Sequence, residues 1–455
     1  MDRVHFETLG CKLNQIETES LARSFRDAGF VIDGTDRDID DAHGSSVYLP
    51  VGTEKPSEQP LLSVINTCTV TGKAEQKARR LIRSILRAWP DSAVLVTGCY
   101  AEVEREALAS IDPRVVAFPG SRKDELADLP AVLASRLEKN PAERVLSVVS
   151  EFAAAPNREA GPFRLSTDDF LFHSRASVKI QDGCDNRCAY CRIRLARGTS
   201  VSLQSDDVIA RIRDIERAGW SEVVLTGVNL SQYRSAGGDF ATLLARALGE
   251  TERLAFRISS LYPERVDGEM LPILAHPRVR PHFHLSVQSG SDRVLRAMRR
   301  PYSASTVRDA VARLREAKDD PFIACDLITG FPGETDADFL ETLDLARESR
   351  FAWIHSFPFS PRPGTEAWSM RPRVPERVAR ERAALLGKLA GEGSRAYTNA
   401  WIGRTAGAVV ERGGTDGSRV LTENYLTLAI PGVCLAPGQA VRVRILDPET
   451  AELEN

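Results

Sequence analysis

Cys184, Cys188 and Cys191 stand in the run Cys184-Asp185-Asn186-Arg187-Cys188-Ala189-Tyr190-Cys191, so one short loop supplies three thiolates at CxxxCxxC spacing. A structural zinc site takes four ligands, usually from two separated pairs, whereas a 4Fe-4S cube held by three cysteines keeps one iron open to a ligand that is not protein. The open iron would put chemistry at the cluster. A zinc site completed by a distant fourth residue, or a redox-sensing thiol group, are the other uses this spacing permits. Three further cysteines stand alone in the first quarter of the chain. Cys11 opens Gly10-Cys11-Lys12-Leu13-Asn14-Gln15 after an alternating apolar run, Cys68 follows the strand-like Leu61 to Ile65, and Cys99 follows Ala93 to Thr97. Each falls where a strand gives way to a helix. In an open parallel sheet that is the carboxyl rim where ligands collect, and helix N-termini there favour the thiolate. Three thiolates far apart in sequence can converge on such a rim; three small buried hydrophobes at strand ends are the structural alternative.

The segment Lys179-Ile180-Gln181-Asp182-Gly183-Cys184 through Arg197-Gly198 resembles the cluster loop of radical S-adenosylmethionine enzymes. Thr8-Leu9-Gly10-Cys11-Lys12-Leu13-Asn14-Gln15, with Asn66-Thr67-Cys68 and Thr97-Gly98-Cys99-Tyr100, resembles the amino-terminal domain of the methylthiotransferases in that superfamily. The resemblance covers nearly the whole chain. It implies S-adenosylmethionine as cofactor and two 4Fe-4S clusters, one on Cys184, Cys188 and Cys191 and one on Cys11, Cys68 and Cys99. At the first, the cofactor would be cleaved to a 5′-deoxyadenosyl radical; the second would carry the sulfur that is methylated and transferred. Thr226-Gly227-Val228-Asn229 resembles the family turn that meets the methionine amino group. Ser259 and Ser260, and Gln288 and Ser289, offer hydroxyl and amide groups suited to the ribose or methionyl part. Ser and Gly are also ordinary turn residues after strands. No catalytic side chain is assigned beyond the cluster ligands.

Gly10 to Glu17 resembles the subgroup acting on carbon 2 of threonylcarbamoyladenosine beside the tRNA anticodon more than the subgroup acting on isopentenyladenosine. The implied partners are a tRNA anticodon stem-loop, whose single-stranded bases are reached without opening a duplex, and an electron donor such as a flavodoxin or ferredoxin. The sulfur donor is not identified. Two other readings stand beside this one. The first is the relative that modifies an aspartate of a ribosomal protein, favoured by Glu449, Glu452 and Glu454 near the carboxyl end; the second is a non-catalytic iron-sulfur RNA-binding or sensing protein. Three departures from the family pattern bear on substrate contacts: Arg192-Ile193-Arg194-Leu195 after the last loop cysteine, Val201, and Arg280-Pro281 before His282.

The elements that must position these residues give an α/β fold. A Rossmann-like amino-terminal domain is expected over residues 1–137, a linker over 138–169, an open partial (β/α)6 TIM-type barrel over 170–400, and a small antiparallel TRAM-like, OB-like β-barrel over 401–455. The barrel strands are expected at Ala176 to Ile180, Glu222 to Thr226, Ala255 to Ser259, His282 to Val287, Phe322 to Ile328 and Trp353 to Phe357. Asp33 to Pro60, polar and acidic, reads as an exposed insertion. With 455 residues, ordinary hydrophobic and charged fractions and a formal charge of -3, composition gives no sign of a nucleic-acid partner. Eight cysteines are too few to staple such a chain, and no apolar run is long enough to cross a bilayer, so a cytoplasmic protein without a membrane partner is expected. Three cationic stretches suit either a solvated helix face or RNA phosphates: Lys73 to Arg87, Arg293 to Arg300, and Arg371 to Arg404. Cys325 and Cys434 read as structural thiols, and the histidines at 173, 276, 282, 284 and 355 lack ligand spacing.

Overall fold

The computed structural model describes residues 2–37, 59–140, 144–157 and 161–454. They fall into two compact units. The first takes residues 1–173 with 177–184 and 192–199; the second takes 174–176, 185–191 and 200–455.

In the first unit, β1 (Arg3–Leu9), β2 (Val31–Arg37), β3 (Leu62–Thr67), β4 (Ala93–Gly98) and β5 (Val115–Ala117) form one sheet in the order β2-β1-β3-β4-β5. Every pairing is parallel. This is the doubly wound order that reverses direction between β1 and β3. Parallel strands buried on both faces carry apolar side chains on both, and the alternation is visible residue by residue. Val64 and Leu95 face a core with Phe25 of α1 (Lys12–Asp27), while Ile65, Val94 and Val96 face Ile82 and Ile85 of α2 (Gly72–Ala88). Two readings of the sequence change here. The supposed insertion starts later, because Val31–Arg37 is an edge strand whose Asp33 accepts hydrogen bonds from Arg3 and His5; residues 38–58 lie outside the described residues. The expected linker contains a helix, Val145–Ala154, whose Val148, Val149 and Phe152 enter the same core as Phe25. Alanine, proline and glutamate around it hid a short apolar stripe.

In the second unit, Glu222–Thr226 pairs in parallel with Ala255–Ile258, and Phe322–Thr329 lies between His282–Gln288 and Trp353–Pro358, again in parallel. A parallel bridge from Leu261 to Leu285 joins the two groups. Helices such as Ala304–Ala317 and Asp336–Ser349 alternate with these strands, as the partial barrel requires; both begin at capping boxes, on Ser303 and Thr335. The first barrel strand, Ala176–Lys179, begins in the second unit and ends in the first. The long helix Glu376–Trp401 leads into an antiparallel sheet of five strands: Thr405–Gly414, Gly417–Thr422, Thr427–Pro431, Ala440–Ile445 and Ala451–Leu453. The last of these, three residues long, has no alternation to betray it in the sequence. A bridge between Ala429 and Thr450 brings its two ends together into a nearly closed barrel. Its core, with Val410, Leu428 and Val443, is continuous with Phe322, Tyr397 and Trp401. Arg257 and Arg280 add polar ties: both bond Glu222, and they reach the Thr422 carbonyl and the Glu423 carboxylate. Arg280, one of the departures from the family pattern, thus has a packing role. Among the described residues no helix is long and apolar enough to cross a membrane.

Candidate functional site

The direction reversal between β1 and β3 opens a crevice at the strands' carboxyl ends, and the three isolated cysteines stand on that rim. Cys11 caps α1 directly after β1, Cys68 follows β3, and Cys99 is the first residue of α3 (Cys99–Val103) after β4. Two glycines make the approach possible. Gly10 has φ +141°, and a Cβ there would meet Cys68 Cβ at 3.1 Å; Gly98 has φ +92°, and a Cβ would meet Asn66 Oδ1 at 2.3 Å and the Thr67 carbonyl at 2.4 Å. Asn14 ties the two sides of the crevice together, its Nδ2 donating to the carbonyls of Leu9 at 3.0 Å and Thr67 at 3.1 Å. Cys68 and Cys99 are buried and Cys11 is exposed. The three sulfurs stand within electrostatic reach of one another. Burial, then the neighbouring Cys99 and Cys11, pushes the Cys68 thiol well above its ordinary value.

Around this rim lies a buried ionic network that sequence reasoning did not foresee. Arg197 is buried with its guanidinium fully engaged: Nε donates to Cys99 Sγ at 3.1 Å, Nη1 to Glu17 Oε1 at 3.0 Å and Asp182 Oδ1 at 3.1 Å, and Nη2 to Asn14 Oδ1 at 2.7 Å. Lys179 bonds the same two carboxylates at 3.0 and 2.9 Å, and Lys123 bonds Glu17 at 2.6 Å. Burial alone would push Glu17 and Asp182 up; Arg197, Lys123 and Lys179 outweigh it and hold both carboxyls well below the ordinary carboxylate range. Burial raises Cys99, opposed by Arg197 and Lys123. Asp124, also buried, acts on Lys179 and Lys123 from farther off and brings a third carboxyl to the three cations, and the sulfur at Cys99 is the group the Arg197 guanidinium meets. A buried guanidinium on that sulfur suits an anionic, sulfur-ligated centre. Lys179, Asp182 and Arg197 all lie in the segment that resembles a radical-enzyme cluster loop, but no local pattern announces buried partners so far away in sequence.

In the cysteine loop, the Cys191 amide donates to the Cys188 carbonyl at 3.1 Å, and the Ala189 amide to the Met298 carbonyl at 3.1 Å. Cys184 belongs to the first unit, Cys188 and Cys191 to the second. Arg300, expected on a solvated or substrate-facing arginine stretch, is instead buried between Tyr262 and Tyr302, 4.4 and 4.9 Å from their ring centroids. Its Nη1 donates to Cys188 Sγ at 3.4 Å and to the Tyr262 hydroxyl at 3.1 Å. Each expected cysteine trio therefore has one sulfur facing a buried guanidinium.

The strand-end residues expected to meet the cofactor have distinct placements. Thr226 is buried at the end of its strand, Gly227 is half-buried beyond it, and Asn229 caps the next turn through Ser231 N at 3.1 Å. Ser259 Oγ is buried with no hydrogen-bond partner among the described residues, a polar atom open to a ligand. Ser260 Oγ meets His284 Nδ1 at 2.9 Å, and His284 Nε2 lies 3.2 Å from Asp326 Oδ1. Gln288 holds a strained φ of +71°. Ser289 is turned to the helix Asp336–Ser349, 3.3 Å from Thr342 Oγ1. Burial, then the facing His284 imidazole, pushes His355 down to about 4, so Ser260, His284, Asp326 and His355 form a polar set that spacing along the chain concealed. Cys325 is fully buried, whereas Cys434 is exposed and so has no packing role. Among the described residues no group of three or more His, Cys, Asp or Glu side chains forms a site for a single metal ion.

Comparison with known proteins bears on this geometry. The Radical SAM superfamily matches residues 178–346, and the family described as "Uncharacterized protein family UPF0004" matches residues 51–120. The chain is 47% identical to the Threonylcarbamoyladenosine tRNA methylthiotransferase MtaB of Treponema pallidum, over 98% of each chain. It is 34% identical to the protein of the same name from Thermotoga maritima, over 99% of this chain and 96% of that one. Among solved structures it is similar to the radical S-adenosylmethionine methyltransferase TsrM from Kitasatospora setae, determined with cobalamin and a 4Fe-4S cluster bound. The TM-score is 0.51 and the identity 15%, covering 81% of this chain and 77% of that one, a likeness of fold.

Proposed function

From the premise that the chain belongs to the radical S-adenosylmethionine methylthiotransferases, we propose that it adds a methylthio group to carbon 2 of threonylcarbamoyladenosine beside the anticodon of tRNA, using two S-adenosylmethionine molecules and two 4Fe-4S clusters. The observation that carries the reading is the cysteine trio on the rim of the doubly wound sheet, in a chain that also holds the CxxxCxxC loop. Cys11, Cys68 and Cys99 would hold one cluster, Cys184, Cys188 and Cys191 the other. When bound, the clusters and S-adenosylmethionine supply the radical that activates the base and the sulfur that is transferred. The chain supplies placement. Gly10 and Gly98 let the strand ends close on the sulfurs, Arg197 and Arg300 offset negative charge on Cys99 and Cys188, and Cys68, Cys99 and Cys184 are buried from water. Thr226, Gly227, Asn229, Ser259, Ser260, Gln288 and Ser289 line the strand ends where the cofactor would lie, with the unpartnered Ser259 hydroxyl the best placed to bond it. A flavodoxin or ferredoxin would supply electrons.

Two of the three acids at the carboxyl end that favoured a ribosomal protein as substrate are paired in the folded sheet. Glu454 pairs with Arg442 at 3.1 Å and Glu452 with Arg444 at 3.9 Å, which leaves Glu449 and weakens the attraction to a basic protein. The test is nucleoside mass spectrometry of tRNA from a strain lacking the gene and from its parent. Loss of the methylthio group with accumulation of unthiolated threonylcarbamoyladenosine is expected; an unchanged profile, in a strain with no second methylthiotransferase, would overturn the tRNA assignment.

A further inference from the structure

In two of the three cationic stretches that stand out in the sequence, most of the charge is paired or buried by the fold. Arg293 bonds Asp338, Arg299 bonds Glu366 at 2.7 Å, and Arg300 is buried between tyrosines. Along the helix Glu376–Trp401, Arg377 pairs with Glu381 and Arg380 with Glu376, both at 2.5 Å; Arg382 pairs with Glu334 at 2.7 Å, Lys388 with Glu392 at 4.0 Å, and beyond the helix Arg404 meets Asp319. That helix, expected as a strip for RNA phosphates, is largely self-compensated.

Helix α2 is different. Its apolar residues, Ala74, Ala78, Leu81, Ile82, Ile85 and Leu86, are buried against the sheet. Its one acid, Glu75, is also buried, accepting from Thr69 Oγ1 at 2.5 Å and Arg192 Nη1 at 3.3 Å. Arg79 is spent on the Tyr100 hydroxyl at 2.5 Å. Lys73, Arg80, Arg83 and Arg87 are left exposed, and among the described residues no carboxylate pairs with any of them. At the helical turn they occupy an arc of about 80° over roughly 21 Å of axis. The helix starts at Gly72, four residues past Cys68, so the stripe runs away from the cysteine rim.

We infer that this stripe is a docking strip for an RNA backbone, which presents its phosphates to Lys73, Arg80, Arg83 and Arg87; the inference rests on the proposed tRNA substrate and names the surface that would serve it. A line of four uncompensated cations in a chain of formal charge -3 matches a line of phosphates and reads no base. An anionic membrane is a poorer occupant, because a helix that lies on lipid must insert an apolar face and that of α2 is already in the core.

The test uses the full-length protein and unmodified tRNA, with binding followed by fluorescence anisotropy over a salt series. Lys73→Ala/Arg80→Ala/Arg83→Ala/Arg87→Ala should bind at least tenfold more weakly and flatten the plot of log K against log salt, by about 0.7 to 0.9 for each phosphate no longer neutralised. Arg83→Glu alone should weaken binding in the same direction, and the three arginines changed to lysine should keep the slope. Arg377→Ala/Arg380→Ala, on the compensated helix, should leave it unchanged. Equal melting temperatures exclude a folding defect, to which surface positions are little prone. A quadruple variant that keeps both affinity and slope, while the parent binds tRNA in a salt-dependent way, overturns the strip and leaves the tRNA reading standing. A parent that does not bind tRNA overturns both. Loss of binding to phosphatidylserine vesicles with tRNA binding intact would assign the stripe to lipid and overturn the proposal.

Discussion

Replacing Arg197 with methionine keeps most of the side-chain volume and removes one cation from a buried network. The hydrogen bonds removed are those to Cys99 Sγ, Asn14 Oδ1, Glu17 and Asp182. The two carboxylates are not stranded, because Lys179 still reaches both and Lys123 still reaches Glu17. Breaking a buried ion pair costs about 3 to 5 kcal/mol, and the remaining lysines place Arg197→Met near 3 kcal/mol. Glu17→Gln is the opposite case: three cations then keep one bonded carboxylate, Asp182, with Asp124 acting only from farther off, so the cost should approach about 5 kcal/mol. The order of the two variants is therefore part of the prediction. Hydrogen exchange read on peptides from β1 and β3 isolates the first unit without assuming that the whole chain opens at once. Arg197→Met should exchange roughly 100-fold faster there. The pH dependence has a definite sign. Glu17 and Asp182 have folded values held well below their unfolded ones, near 4, so their stabilisation is present above that range and is lost as pH falls from it toward the folded values. Parent and variant lose it together until the variant's less depressed carboxyls take up protons in the folded state, so the gap to the parent should hold from about pH 6 to about 4 and narrow only as pH falls through the variant's own folded values. A cost below about 1 kcal/mol, or a larger cost for Arg197→Met than for Glu17→Gln, would refute the account of the network.

Other consequences are open to direct measurement. Gly98→Ala puts a Cβ 2.3 Å from Asn66 Oδ1 at φ +92°, and should cost about 3 kcal/mol or prevent folding; circular dichroism during urea unfolding decides between a mild and a severe effect. Cys68→Ala in anaerobically reconstituted protein should lose about half the iron while keeping the cluster on the CxxxCxxC loop, and iron analysis that finds no loss would remove Cys68 from the ligand set. Arg300→Met should shift the reduction potential of the loop cluster downward, since a cation facing Cys188 Sγ favours the more negative, reduced state; an unchanged potential in redox-monitored EPR would separate Arg300 from the cluster.

What the sequence made legible was whatever repeats at short range. The barrel strands and the placement of Cys11, Cys68 and Cys99 at strand ends follow from apolar runs ending in polar turns, and the structure has them there. Where the local pattern misled, a partner distant in sequence decided the outcome. Asp33 looked like the start of a loop until β1 supplied the backbone and side-chain partners that hold it in an edge strand. Arg300 looked like one more exposed arginine until Tyr262 and Tyr302 closed over it. Arg197 stood in the cluster-loop motif without a role, because its partners Asn14, Glu17 and Cys99 lie about a hundred residues or more earlier in the chain. His284, Asp326 and His355 escaped a search for ligand spacing because adjacent strands, not adjacent residues, bring them together.

The first unit is discontinuous: it needs residues 177–184 and 192–199 as well as everything up to 173. During synthesis, Glu17 and the rim cysteines leave the ribosome long before Lys179, Asp182 and Arg197, a lag on the order of ten seconds or more at ordinary elongation rates. Until then Glu17 lacks two of its three cations, and the Cys99 sulfur has no guanidinium beside it. A fragment ending at residue 173 would hold the three thiols on an unfinished rim. Maturation of the amino-terminal site is thereby tied to completion of the segment carrying the first loop cysteine, Cys184, so the timing of one site is written into the covalent order of the other.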